Sequence, residues 1–196
     1  MRKFFLLLLS LNTALISAAQ NNLPSVYSIT TDSAEHLNLN DSEWQMLEDK
    51  TGKLTIGEVS RPPVIDQFHA NTVPKEGVNV YWFRYRIKNI LARQIDIIIP
   101  ENLPSYADVY IEKSLDVWAH KKTGRYVPWS QRDDLKRFLC LRYTLQPGEE
   151  VLMYGRGKWA IPHAKPSNFS PDILLANKVV QEYFYETNRF SCDNNN

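Results

Sequence analysis

Three kinds of side chain in this sequence could do chemistry: paired carboxylates, histidines, and aromatics set among arginines and lysines. Carboxylate pairs occur at Glu48-Asp49, Asp133-Asp134 and Glu149-Glu150. Glycoside cleavage needs two carboxyl groups about 5 to 9.5 Å apart across a cleft, whereas sequence neighbours on a strand point to opposite faces. The pairs read more simply as solvated turn charges. Asp49-Lys50-Thr51-Gly52 in particular looks like a turn, with Asp supplying a side-chain acceptor and Gly a permissive backbone. His36, His69, His120 and His163 show neither HExxH nor His-x-His spacing, so a catalytic zinc has little support. The seven glycines form no phosphate loop, and no GxSxG elbow is present. Cys140 and Cys192 do not adjoin a histidine; a bridge between them and an unbridged or intermolecular Cys192 both stay open. No cofactor, no metal and no catalysis are therefore expected.

The aromatics say more. Tyr81, Phe83, Tyr85 and Ile87 alternate with Trp82, Arg84, Arg86 and Lys88, a two-residue repeat that makes a strand with two chemically distinct faces. An indole beside two guanidinium groups suits a sugar ring or an anion: the π face stacks on C–H groups and the guanidinium forks bind hydroxyls or carboxylates. Two readings of Trp82 stay open: a ligand platform with Arg84 and Arg86, or a second core face covered by another segment. Trp118 and Trp129 flank the turn Lys121-Lys122-Thr123-Gly124, with His120 and Tyr126 nearby. Loop aromatics can form a binding platform or pack beneath a long loop.

The elements that must position these residues read as short strands. They are expected at Tyr81 to Lys88, Gln94 to Pro100, Val109 to Glu112, Val117 to His120, Phe138 to Leu145 and Val151 to Arg156. Pro and Gly punctuate them at Pro100 to Pro104, Lys121 to Gly124 and Gln146 to Glu149. No helical period lies between them, which argues an antiparallel sandwich or jelly roll over a parallel α/β sheet. Trp44, Leu47, Leu54, Ile56 and Val59 give the stretch from Asn38 to Phe68 enough apolar content to dock on that sandwich, with a short capped turn expected after Asp41 and Ser42. Leu175, Val179 and Tyr183, with Val180 and Phe184 alongside, predict a helix from Pro171 to Arg189.

At the N-terminus Arg2 and Lys3 precede the apolar run Phe4 to Ile16, and Ser17, Ala18 and Ala19 follow. This is the order of a secretory signal peptide cleaved after Ala19, and the run is shorter than the about 20 residues a bilayer demands. Twenty-three Lys and Arg against 22 Asp and Glu give +1. Loss of Arg2 and Lys3 leaves the exported form slightly acidic, without the basic footprint of a nucleic-acid binder. Five Trp, ten Tyr and eight Phe supply the apolar area that a disordered chain lacks.

Several short patterns then occur in order: Leu47 to Ile56 with its acidic turn and Gly-Lys-Leu-Thr, Tyr81-Trp82-Phe83-Arg84-Tyr85 running to Asn89, and Asp108-Val109-Tyr110. Thr123-Gly124, Pro128, Arg132, Leu145-x-Pro147-Gly148 and Tyr154-Gly155-Arg156 complete the series. From about Tyr27 to Phe169 the chain resembles the second type of extracellular domain of bacterial seven-transmembrane receptors with diverse intracellular signalling modules. The resemblance implies a jelly-roll β-sandwich outside the cytoplasmic membrane, similar to carbohydrate-binding modules, that binds sugars or related small ligands.

The expectation is thus an all-β, antiparallel jelly roll with a C-terminal helix: a signal peptide over 1–19, a sensor domain over 20–170, and a juxtamembrane-like helix and tail over 171–196. It is a non-enzymatic, exported sensor domain for a carbohydrate or related ligand, bound first by Trp82, Arg84 and Arg86 and second by Trp118, Tyr126 and Trp129. A membrane-embedded signalling module is its implied partner. The alternative is an interaction or homodimerisation module of the cell envelope.

Overall fold

A computed structural model of the chain describes residues 23–33, 36–70, 80–100, 104–136, 139–159, 171 and 173–176. The signal peptide expected over 1–19 lies outside the described residues, as do Cys192 and His163. Nine strands are described: β1 Val26–Ile29, β2 Trp44–Glu48, β3 Val80–Asn89, β4 Ile95–Pro100, β5 Tyr106–Ser114, β6 Val117–Thr123, β7 Cys140–Leu145, β8 Glu150–Lys158 and β9 Leu174–Leu175. A one-turn helix, α1, covers Ile56–Val59.

The larger sheet runs β1-β3-β8-β5-β6, with β2 also on β3; the smaller runs β7-β4-β9. β3 is the organiser. Its N-terminal half pairs antiparallel with β2, Leu47 opposite Trp82, while its C-terminal half pairs parallel with β1, Val26 opposite Arg86. Along its other edge β8 pairs antiparallel over the whole length, from Val80 opposite Lys158 to Lys88 opposite Glu150.

The alternation of β3 sorts its side chains as the sequence suggests. Tyr81, Tyr85 and Ile87 join Trp44, Met46, Val109, Ile111 and Met153 in a core shared with Ile97, Ile99, Leu141, Leu145 and Leu175 of the smaller sheet, and Phe83 packs against it. This inner core is where the two sheets meet. Fully buried residues such as Ile97 each contribute about 1.5–3 kcal/mol there. Asn89 ends β3 as a buried pin: its Nδ2 donates to the carbonyls of Arg93, Leu145 and Gln146 at 2.8, 3.2 and 3.1 Å, and its Oδ1 accepts from Leu91 N–H at 3.0 Å.

Two local expectations need correcting. After a turn at Asn40 to Glu43, residues Trp44–Glu48 form strand β2, because each has a partner on β3. The helix expected from Pro171 begins differently as well, since Leu174–Leu175 pair with Ile98 and Ile97 of β4. Residues from 177 onward lie outside the described set.

Candidate functional site

The outer face of the larger sheet carries Trp82, Arg84 and Arg86 of β3; Leu152, Tyr154 and Arg156 of β8; Tyr106, Asp108, Tyr110 and Glu112 of β5; and Trp118, His120 and Lys122 of β6. Strand registers set these in rows, Lys122–Asp108–Arg156–Trp82 and His120–Tyr110–Tyr154–Arg84. Such a face is too polar for an ordinary core and too aromatic for an ordinary surface.

Half of it is covered. The 49–68 segment folds back over β3 and β8, and Leu54, Ile56, Val59, Val64 and Phe68 make a second apolar cluster with Leu47, Trp82 and Tyr154. The fold-back starts at Asp49, itself buried. Its Oδ1 accepts from Thr51 N–H, Thr51 Oγ1–H and Gly52 N–H at 3.1, 2.8 and 2.8 Å, and its Oδ2 from Leu54 N–H at 3.0 Å. Gly52 sits at φ 64, the left-handed region that a side chain would strain. Glu58 then caps α1 by accepting from Thr55 N–H and Oγ1–H at 2.8 and 2.7 Å.

Trp82 and Arg84 are each 0 % exposed. The second reading of Trp82 is therefore the one the fold realises, a second core face covered by another segment. A sugar cannot stack on that indole while Phe68 and its neighbours lie above it. The Arg84 guanidinium sits 4.3 Å from the Phe68 ring centre, and its Nε donates to Gln45 Oε1 at 2.6 Å. Burial pushes the Arg84 pKa down from its ordinary value, opposed by the nearby Tyr154. Burial likewise raises the Tyr154 phenol, with Arg84 opposing. Arg86 lies half-buried at the rim, ion-paired with Glu150.

The other half is open. Tyr110 stacks on Trp82 with centroids 5.7 Å apart, and His120 stacks on Tyr110 at 4.6 Å and 9°. The result is a three-ring ladder from the buried indole to an exposed imidazole. Asp108 takes His120 Nε2 at 2.8 Å on one oxygen and Arg156 Nη1 at 3.5 Å on the other. Arg156 Nη2 reaches back to Gly52 O at 2.9 Å, tying the fold-back turn to the open rows. Trp118, half-buried, stands edge-on to Tyr154 at 5.3 Å. Burial, then the charge of Asp116, holds the neighbouring Glu112 carboxyl above its ordinary range.

At the far end of β5, Tyr106 meets Tyr126 edge-on at 6.1 Å. Tyr126 and Trp129 are both 57 % exposed. Their loop is shaped by Arg132, which donates to the carbonyls of Val127, Lys136 and Arg125 at 2.8, 3.2 and 3.2 Å. Gly124 at φ 128 brings the same loop against Ser105, whose carbonyl oxygen would lie 2.6 Å from an added Cβ.

Of the six expected site residues, then, Trp118 lies on the open half, Tyr126 borders it through Tyr106, and Trp129 sits in the adjoining loop. Trp82 and Arg84 lie beneath the covered half, and Arg86 at its rim. Asp108, Tyr110 and Arg156 join the arrangement without having been singled out for it. Their signal was present, since Tyr106, Asp108, Tyr110 and Glu112 alternate with Ala107, Val109 and Ile111. Residues 41–160 match the family 7TMR-DISM extracellular 2. No match to the chain is found among curated proteins.

Proposed function

Because the chain belongs to the 7TMR-DISM extracellular 2 family, we propose that it senses a carbohydrate or related small ligand on the open half of the outer sheet face. Domains of this family lie on the outer side of the membrane, in receptors that carry intracellular signalling modules. Among the described residues no helix is long and apolar enough to cross a membrane. The jelly-roll relation to carbohydrate-binding modules belongs to the same reading and is supported by two mainly antiparallel sheets about one core.

The observation that carries the proposal is the run of aromatic and charged side chains along β5 and β6. From Glu112 and Trp118 it passes Tyr110 and His120, then Asp108 and Lys122, to Tyr106 and Tyr126. Six residue steps of strand span about 20 Å, room for more than one sugar ring. Rings supply stacking surfaces, and between them Asp108, His120 and Lys122 supply acceptors and donors for hydroxyls. Stacking on a few half-exposed rings gives affinities of roughly micromolar to millimolar. Binding alone accounts for this chemistry, so the domain is read as a non-enzymatic sensor.

A glycan array followed by calorimetric titration of the best hit tests the reading. Trp118→Ala should weaken that hit about tenfold or more, and Tyr126→Ala should weaken it for ligands long enough to reach the far end. An unchanged titration in both variants would discard the open half as the site.

A further inference from the structure

On the opposite side of β5 and β6 lies a second concavity. Where the edge of the larger sheet faces β7, a groove of about 450 Å³ opens between Ile111, Lys113, Ala119, Lys121, Asp134 and Arg142. Tyr143 and Thr144 complete its wall. The volume falls within the range of small-molecule sites, about 300–1,000 Å³.

The charges around this groove are unequally matched. Lys121 Nζ pairs with Asp134 Oδ2 at 2.7 Å and donates to Arg142 O at 2.6 Å. The Arg142 guanidinium pairs with Asp96, which also accepts from Thr144 Oγ1–H. Lys113 has no such carboxylate among the described residues. Its ammonium donates to Tyr143 Oη at 2.7 Å and lies 4.4 Å from that ring's centre. Tyr143 gives its own proton to Glu149 Oε1 at 2.7 Å. Burial, and then the bond to Glu149 and its charge, push the Tyr143 phenol above its ordinary range. It therefore stays protonated as the bridge between the two. An ammonium has three donors, and this bond uses one. Beside it, Ile111 and Ala119 form an apolar floor, while Lys121 and Arg142 are held in place by their own partners.

We propose that this groove is a second ligand site, for a small organic acid whose carboxylate takes the free donors of Lys113 and whose body lies against Ile111 and Ala119. It is independent of the carbohydrate reading, because none of its lining residues belongs to the outer face. A carboxylate supplies the counter-charge that the phenol cannot, and the prearranged walls limit the cost of binding.

The test is an amide-resolved NMR titration of the full chain with acetate, benzoate and glucuronate, each beside its uncharged amide. At least one acid should give saturable shifts at Lys113, Ala119 and Thr144 that its amide does not give. Lys113→Met, which keeps the stem and removes the charge, should weaken that acid about tenfold or more, and Trp118→Ala should leave it unchanged. Absence of saturable shifts in the groove with all three acids, or equal affinity in wild type and Lys113→Met, overturns the proposal. The comparison of acid with amide on the wild type decides the ammonium's role even if the variant folds poorly: equal shifts from both would refute it.

Discussion

The two halves of the outer face of the larger sheet carry the same kinds of side chain and differ in what lies over them. On β3 and β8, Trp82, Arg84 and Tyr154 are sealed under Phe68, Val59 and Leu54. On β5 and β6, Tyr110 and Trp118 pack only against the edge of that cluster and stay half-buried, and His120 beyond them is exposed. Strand alternation decides which side of the sheet a residue faces. It does not decide whether that side is wet, because the cover here comes from a separate segment that starts at the Asp49 turn and is fixed at its far end by the Met46–His69 backbone pair. A Trp beside two Arg residues is thus core chemistry in one half, while a Trp beside a His is surface chemistry in the other.

Truncation should expose that contrast most strongly. Trp82→Ala removes a fully buried indole together with the base of the Tyr110–His120 stack, and should cost about 3–5 kcal/mol in a denaturant titration. Trp118→Ala, half-buried, should cost much less, about 1–2 kcal/mol, while abolishing most ligand binding. Comparable losses of stability from the two would mean that the halves do not differ as described.

Unhooking the cover comes next. Asp49→Ala leaves the N–H groups of Thr51 and Leu54 without their side-chain acceptor, and Gly52 N–H with only the Asp49 carbonyl, and should cost about 2–3 kcal/mol. Hydrogen exchange should quicken over 54–68 while the inner core strands β4 and β7 keep their protection. Uniform acceleration across both sheets would mean that the cover is not a separable layer.

How much of this was legible follows from the same distinction. The face assignment of Tyr81 through Lys88 needs only the two-residue period, and it was readable. So was the turn chemistry of Asp49 and Gly52, because a short polar side chain and a left-handed residue act locally. β2 was misread because Gln45 and Leu47 both face the covered outer side, so apolar residues occupy both faces and the alternation is lost. β1 was missed because its parallel partner, β3, lies some sixty residues away in register, Val26 with Arg86. The patterns that carry the family resemblance proved mainly architectural. Asp49 and Gly52 build the cover, Asn89 pins a strand end, and Gly124 and Arg132 shape a loop. They identify the scaffold; of these patterns Asp108-Val109-Tyr110 and Arg156 reach the open rows, where Trp118 and His120, which lie outside the patterns, complete the face that would meet a ligand.

The smallest effect concerns Glu112, cross-strand neighbour of Trp118 on the open half. Burial, then the charge of Asp116, raises its pKa above the ordinary carboxylate value. The folded state therefore binds the proton more tightly than the unfolded one, and stability falls as pH rises from about 4.3 through the folded pKa. Glu112→Gln should accordingly stabilise the protein at pH 7 by a few tenths of a kcal/mol, since the site is partly solvated. That gain should vanish below about pH 4 in thermal unfolding scans. A ligand lying across this row would desolvate the carboxyl further and raise its pKa again. Binding at a pH near the folded value should then take up protons, seen as a calorimetric enthalpy that depends on the buffer's ionisation heat. The dependence should disappear in Glu112→Gln, and its persistence there would place the ligand away from the Trp118 end of the open half.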